Sequence, residues 1–280
     1  MALIELKNVT YKYPLSKKPA LRNLNYEFEE GVFYGLIGEN GGGKTSLCCL
    51  IRGLIPHFYN GILDGETLVF GKDIKEHTPE ELSVKIGYVF QNPFNQISGI
   101  KETVFEEIAM GLENLGVPKK DMIEKVLSVC ELLKIEALIQ KNPNELSGGQ
   151  RQRVAFASII AMENKILVID EPTSQLDPQG TEDVFEIIKT LKASGKTIIL
   201  VEHKIDLIAQ YCEKVIVMEK GEIVRAGDTG GILADISLLE KGADIPQVAV
   251  WGNDMRLAQK PLDYIPITVA QGVELAKKRG

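Results

Sequence analysis

Three stretches of the 280-residue chain carry residue types and spacings suited to a phosphorylated ligand. Gly38-Glu39-Asn40-Gly41-Gly42-Gly43-Lys44-Thr45, with Ser46 directly after it, fits the pattern G-x-x-x-x-G-K-[ST]. Glycines let successive backbone N–H groups turn inward around phosphate oxygens. A helix opening at that point adds roughly half a positive charge. Lys44 supplies a full charge to the β- and γ-phosphates, and the Thr45 hydroxyl can ligate Mg²⁺. In the second stretch, Ile166-Leu167-Val168-Ile169 runs into Asp170-Glu171-Pro172. At a strand end Asp170 can hold Mg²⁺ through its water shell, and Glu171 can polarise an attacking water as general base. In the third, Leu146-Ser147-Gly148-Gly149-Gln150-Arg151-Gln152-Arg153, a Ser-Gly-Gly turn opens a helix. That makes a second anion site of exposed N–H groups and a hydroxyl.

The surrounding patterns supply elements to hold these residues. Val32–Ile37 is a largely apolar run that ends at Gly38, and Ser46–Leu54 has helical length, so the glycine loop joins a strand to a helix. Ile86–Phe90 is a strand candidate ending at Gln91, and Ile166–Ile169, Thr197–Val201 and Lys214–Met218 are the clearest strands. Helix-like segments lie near 149–162, 181–193 and 205–211, with a mostly helical stretch from Thr103 to Leu138. Apolar strands alternating with helices predict an α/β core around a mostly parallel sheet, whose ligands bind beyond the C-terminal strand ends. Ile4–Asn8 and Asn25–Phe28 alternate as half-buried strands do, which predicts an N-terminal β part. After residue 228 the texture changes: Pro246, Pro261 and Pro266 interrupt the chain around Trp251, and a terminal helix is expected near Val269–Lys278. The Lys277-Lys278-Arg279 end suits a solvated helix C-terminus.

Composition narrows the classes. The chain is 44% hydrophobic and 25% charged, an ordinary globular balance, with net charge −7. That sign disfavours nucleic acid as a partner. No apolar run approaches the roughly 18 to 20 residues that span a bilayer, and the N-terminus shows no signal-peptide pattern. Cys48, Cys49, Cys130 and Cys212 form no Cys-x-x-Cys pair and are expected to be buried reduced thiols of an intracellular protein. His57 and His77 have no functional context and are expected to be structural or solvated.

With both glycine turns and the acid pair in this order, residues 2–228 resemble the nucleotide-binding subunit of an ATP-binding-cassette (ABC) transporter. The resemblance implies a P-loop NTPase core of the ABC ATPase type over residues 1–228, with a helical subdomain at about 92–162 that carries the signature turn. A small extension, 229–280, follows, with a dimerisation role. It implies ATP and Mg²⁺ as cofactors, and a head-to-tail dimer in which the Ser147-Gly148-Gly149-Gln150 turn of one protomer closes over ATP held by the phosphate loop of the other. Tyr13 fits the aromatic that stacks on adenine, with Tyr11 the near alternative. Gln91 fits the glutamine that contacts Mg²⁺ and the attacking water and links the site to the membrane subunit. Ser174-Gln175-Leu176-Asp177 fits the loop at the dimer interface, with Gln where many relatives have Gly or Ala. His203, just past strand Thr197–Val201, fits the switch histidine at the γ-phosphate.

Gln91-Asn-Pro-Phe-Asn-Gln96, Thr103-Val-Phe-Glu-Glu-Ile-Ala, Gly111-Leu-Glu-Asn-Leu-Gly116 and Gly53-Leu-Ile-Pro-His-Phe-Tyr59 are similar to a narrower group. These are the ATPases of energy-coupling-factor transporters, which take up vitamins and ions such as cobalt and nickel. The similarity implies a second ATPase protomer, identical or similar, a transmembrane coupling protein and a substrate-binding membrane protein. It places the chain peripherally on the cytoplasmic face of the membrane. Cassette ATPases of chromosomes and DNA repair carry a long coiled coil that the span from Gln91 to Ser147 is too short to hold, and tandem-cassette translation factors need a second phosphate loop. A cassette that binds ATP without turning it over is disfavoured by Glu171 and His203.

Overall fold

The computed structural model describes residues 2–92, 96–174, 176–260 and 262–278. Pro93, Phe94 and Asn95 of the Gln91–Gln96 pattern, Gln175 of the interface loop, Pro261 and Arg279 lie outside the described residues. The chain divides into two compact units, residues 1–77 with 199–280, and residues 78–198.

In chain order, the first arm holds β1 (Ala2–Lys12), β2 (Leu21–Glu29), β3 (Phe33–Ile37), α1 (Lys44–Arg52), α2 (Leu54–His57), β4 (Ile62–Val69) and β5 (Lys72–Asp73). The second unit holds α3 (Pro79–Lys85), β6 (Ile86–Val89), α4 (Val104–Asn114), α5 (Lys119–Leu132), α6 (Gly148–Ala161), β7 (Ile166–Asp170) and α7 (Pro178–Ala193). β8 (Thr197–Val201) carries the chain back to the first unit, which ends with α8 (Ile205–Tyr211), β9 (Lys214–Glu219), β10 (Glu222–Asp228), α9 (Thr229–Leu233), α10 (Gln247–Leu257) and α11 (Val269–Lys277).

Within the first unit, β1 lies between β2 and β4 in an antiparallel sheet extended by β5. Its alternation buries Ile4, Leu6, Val9 and Tyr11. The other strands of this unit read differently. All five residues of β3 are buried, as expected for a strand covered on both faces. β3 pairs in parallel with β9 from Tyr34↔Lys214 to Ile37↔Val217, and β10 closes this edge antiparallel to β9. The polar strands β4 and β10, with exposed faces, carry no apolar pattern to announce them in the sequence. The segment past residue 228 is helical, and α11 matches the expected terminal helix to within one residue.

In the second unit β6 and β7 run in parallel, from Ile86↔Ile166 to Val89↔Ile169. α4 packs on α5 and α6. Their starts are written locally: Thr103 caps α4 with Glu106 reaching back, and Thr78 and Glu81 do the same for α3. Among the described residues, no helix is long and apolar enough to cross a membrane.

All four cysteines are buried and outside any disulfide. Burial pushes the Cys130 thiol up to about 11 and raises Cys212 well above its ordinary value, so neither is a ready nucleophile. His77 is buried with Nε2 3.0 Å from the Val69 carbonyl, and His57 Nε2 lies 3.0 Å from the Ile74 carbonyl. Both histidines have structural partners.

Candidate active site

The first unit supplies the phosphate loop. β3 ends at Ile37 and α1 begins at Lys44, so the loop joins a buried strand to a helix. Its shape excludes side chains. Gly38 has φ +133°, and a Cβ there would meet the Met218 carbonyl oxygen at 2.0 Å. A Cβ on Gly43, at φ +104°, would lie 2.8 Å from the Ala20 oxygen. Gly42 donates to the Glu39 carbonyl (3.0 Å) and its own carbonyl accepts from Gly221 (2.9 Å), which fixes the turn against the chain after β9. Gly41 takes φ +78° in open space, and Asn40 beside it is exposed. Lys44, buried, folds its ammonium onto the loop and donates to the carbonyls of Gly38 (2.7 Å) and Glu39 (3.0 Å).

α1 starts without a side-chain cap, and its first turn contains no acid. No carboxylate of that turn would compete with an external anion for the helix start. Thr45 is exposed on this turn.

Tyr11 and Tyr13 fall differently. Tyr11 has 0% exposure, donates its hydroxyl to the Tyr59 carbonyl (3.0 Å), and burial pushes its pKa up to about 12. A ring so enclosed has no face for a base. Tyr13 is half-buried, edge-on to Tyr11 (centroids 4.8 Å) and Tyr59 (5.9 Å), with its hydroxyl 3.2 Å from Ser46 Oγ. It is the aromatic tied to the helix of the phosphate loop.

His203 is exposed just past β8. The preceding Glu202 is buried, and its carboxylate accepts from the backbone N–H groups of His203 (3.0 Å) and Lys204 (3.1 Å). The glutamate fixes the turn on which the histidine stands. In the sequence this shows only as an acid directly after a buried apolar strand.

The second unit supplies the acids. Asp170 ends β7 and is buried at 6% exposure. Glu171 follows with φ +47°, a left-handed conformation that a non-glycine residue adopts at a cost of about 1–3 kcal/mol and that clusters at functional sites. Gln91, just past β6, donates Nε2 to Glu171 Oε2 at 2.6 Å. Tyr88, inside β6, donates its hydroxyl to Asp170 Oδ2 at 2.9 Å. This second contact was not anticipated, because it depends on the register of two strands far apart in sequence.

The signature turn is also in the second unit. Ser147 caps α6 by accepting from the Gln150 N–H (3.4 Å), and Gln150 Oε1 accepts from the Ser147 N–H (3.2 Å). A hydroxyl that accepts still has a hydrogen to donate, so capping and phosphate binding are compatible. Gly148 and Gly149 differ from the loop glycines, because a Cβ on either would meet nothing within 4 Å. Asp177 caps α7 by accepting from the Gly180 N–H at 2.7 Å. A cavity of 810 Å³ lies between the signature turn and this cap, lined by Ser147, Gly148, Gln150, Leu176, Asp177 and Gly180 among others. Arg153 of α6 and Asp183 of α7, which pair with each other, also line it.

A family model described as ABC transporter matches residues 21–174. A putative ABC transporter ATP-binding protein of Pyrococcus abyssi is 40% identical over 258 residues, 91% of each chain. The energy-coupling factor transporter ATP-binding protein EcfA2 of Streptococcus sanguinis is 34% identical, covering 97% of this chain and 98% of that one. Among solved structures, cbiO1 of Clostridium perfringens, part of the ABC transporter complex cbiONQ, superposes with a TM-score of 0.74 at 29% identity. That match covers 86% of this chain and 94% of cbiO1. A dimeric ATP-binding cassette in a post-hydrolysis state with ADP and Pi matches with a TM-score of 0.69 at 28% identity, over 81% of this chain and 98% of that one.

Proposed function

The chain belongs to the ABC transporter family and is an ATPase, and from that premise we propose that it energises a transporter of the energy-coupling-factor type. It hydrolyses ATP to power uptake of a vitamin or a transition-metal ion such as cobalt or nickel through a separate membrane complex. The observation that carries this reading is the extent of the likeness to EcfA2, which runs through 97% of the chain and so includes residues of the extension. Residues 1–228 serve as the nucleotide-binding domain with a helical subdomain at about 92–162, and residues 229–280 as an extension that helps hold two protomers together. The assembly sits at the inner face of the membrane, with a transmembrane coupling protein and a substrate-binding membrane protein.

The residues fit a nucleotide triphosphate and its metal. The phosphate loop is a tight glycine turn packed against the chain's own backbone, and it opens on a helix start with neither side-chain cap nor acid. The oxygen donors, the Thr45 hydroxyl and the Asp170 carboxylate, with the Gln91 side chain, suit Mg²⁺, which binds through few protein oxygens together with phosphate oxygens and water. When bound, Mg²⁺ neutralises charge on the β- and γ-phosphates.

In this reading Gly38–Gly43 wrap the phosphates, with the Glu39 and Asn40 backbone in the same loop. Lys44 leaves the loop carbonyls for the β- and γ-phosphates, and Ser46 holds Tyr13 for the adenine. Glu171 takes a proton from the attacking water as it adds in line to the γ-phosphorus, the bond from the γ-phosphorus to the β–γ bridging oxygen breaks and ADP leaves with that electron pair, and Gln91 orients the water and Glu171. His203 donates to the γ-phosphate. The Ser147 hydroxyl and the N–H groups of Gly148, Gly149 and Gln150 serve ATP held by a second protomer, with Asp177 at the same interface. Such catalysis needs positioning and charge neutralisation more than covalent chemistry.

The test is to purify the native complex and identify what it contains. Co-purification with a transmembrane coupling protein and a small membrane protein holding a vitamin, cobalt or nickel is the expected result. A complex with an exporter or another class of importer, or a chain purified with no membrane partner, overturns the reading.

A further inference from the structure

Tyr88 is the residue of β6 that the proposed chemistry leaves unused. Its ring is 5% exposed, it lies against Phe90 (centroids 4.7 Å), and its hydroxyl donates to Asp170 Oδ2 at 2.9 Å. The parallel register sets Tyr88 opposite Val168, two residues before Asp170. Two residues of strand rise by about 6.6 Å, a distance a tyrosine side chain spans from backbone to hydroxyl. Leucine, methionine or phenylalanine would fill the same buried space without donating to Asp170 Oδ2. Three residues further along the same strand end, Gln91 donates to Glu171. One strand therefore grips both acids of its neighbour: the glutamine holds the exposed acid and the tyrosine the buried one.

We propose that Tyr88 is a positioning residue for the Mg²⁺ carboxylate. Its O–H fixes the plane of the Asp170 carboxylate through Oδ2, so that Asp170 is presented to the metal without first being ordered. The proposal rests on the reading of Asp170 as a metal-site residue. A polar partner that orients a metal-binding side chain is typically worth about 10- to 100-fold in metal affinity. The rigid strand pair puts Tyr88 in that position.

The test is Tyr88→Phe, which keeps the ring and its packing. Two bindings are measured: Mn²⁺ in the presence of ATP, by electron paramagnetic resonance of the free ion, and a fluorescent ATP analogue in EDTA. Mn²⁺ affinity is expected to fall about 10-fold while metal-free nucleotide affinity stays within twofold of the parent. The Mg²⁺ concentration for half-maximal turnover should rise by a similar factor, with kcat at saturating Mg²⁺ nearly unchanged. Unchanged Mn²⁺ affinity overturns the proposal, and so does an equal fall in both affinities, which marks a merely structural tyrosine. Asp170→Asn separates the two readings. If it abolishes Mn²⁺ binding while Tyr88→Phe does nothing, only the tyrosine's role fails. If Asp170→Asn also leaves Mn²⁺ binding intact, the metal-site reading of Asp170 fails.

Discussion

The two glycine-rich helix starts of this chain are built on opposite plans. At α1 the cap is a glycine, no side chain serves the first turn, and the loop glycines are forced by the chain's own backbone, with Gly38 against Met218 and Gly43 against Ala20. At α6 the start is fully capped by the Ser147–Gln150 box, and its glycines face open space. Glycine at a helix start with nothing near it destabilises the chain that carries it. The phosphate loop is thus shaped from within, by the chain's own backbone. The signature turn is finished as a helix start, and nothing among the described residues of its own chain requires its glycines; in the proposed reading they answer to a body outside the chain. The solved relatives include a dimer bound to ADP and Pi, and in the proposed reading that body is a second protomer.

The largest effect is expected at the acid proposed to act as general base. Glu171→Gln should slow hydrolysis by at least about 100-fold, and up to about 1000-fold, while ATP still binds. The ATP-bound dimer should then accumulate and be visible by light scattering. Near-normal turnover would remove Glu171 from the role of base. Ser147→Arg in that background puts a large cation where the outside body must approach. It should leave nucleotide binding by the monomer intact and abolish the ATP-driven dimer. An undiminished dimer would mean that the α6 turn faces nothing.

Gly38→Ala tests the other plan. The left-handed φ and the 2.0 Å approach to Met218 make the change costly for the folded chain itself, by roughly 3 kcal/mol. Thermal stability and nucleotide binding should fall together in the monomer. Loss of nucleotide binding with unaltered stability would show that the glycine serves the ligand alone.

The elements that carry the site were legible because burial on both faces writes strands such as Ile166–Ile169 and Thr197–Val201 as apolar runs, and the chemistry begins where each run stops. β4 and β10 were missed for the converse reason, since their exposed residues, Asp64, Glu66 and Arg225 among them, read as loop. Tyr11 and Tyr13 look equivalent in sequence. Only burial separates them, because β1 carries Tyr11 into the core and ends before Tyr13. The grip of Tyr88 on Asp170 joins residues 82 apart in the chain and follows from strand register, which no local pattern encodes. Glu202 was within reach of inspection, since a buried acid needs donors and the next two backbone N–H groups supply them.

The smallest change in stability gives the sharpest contrast between the two plans. Gly149→Ala adds a Cβ that meets nothing in its own chain, at a helical position where alanine is preferred. In the first turn the gain is at most about 0.5 kcal/mol, which for a chain of this size raises the melting temperature by roughly 1 °C. In the proposed reading the same methyl group would stand where ATP held by a second protomer brings its γ-phosphate within hydrogen-bonding distance of the turn. Displacement there should cost about tenfold in turnover, because small misplacements of preorganised donors are expensive. The expected variant is therefore slightly more stable, binds nucleotide normally as a monomer, and hydrolyses ATP more slowly. A variant that melts lower and turns over normally would show that Gly149 serves its own helix, and the two helix starts would then share one plan.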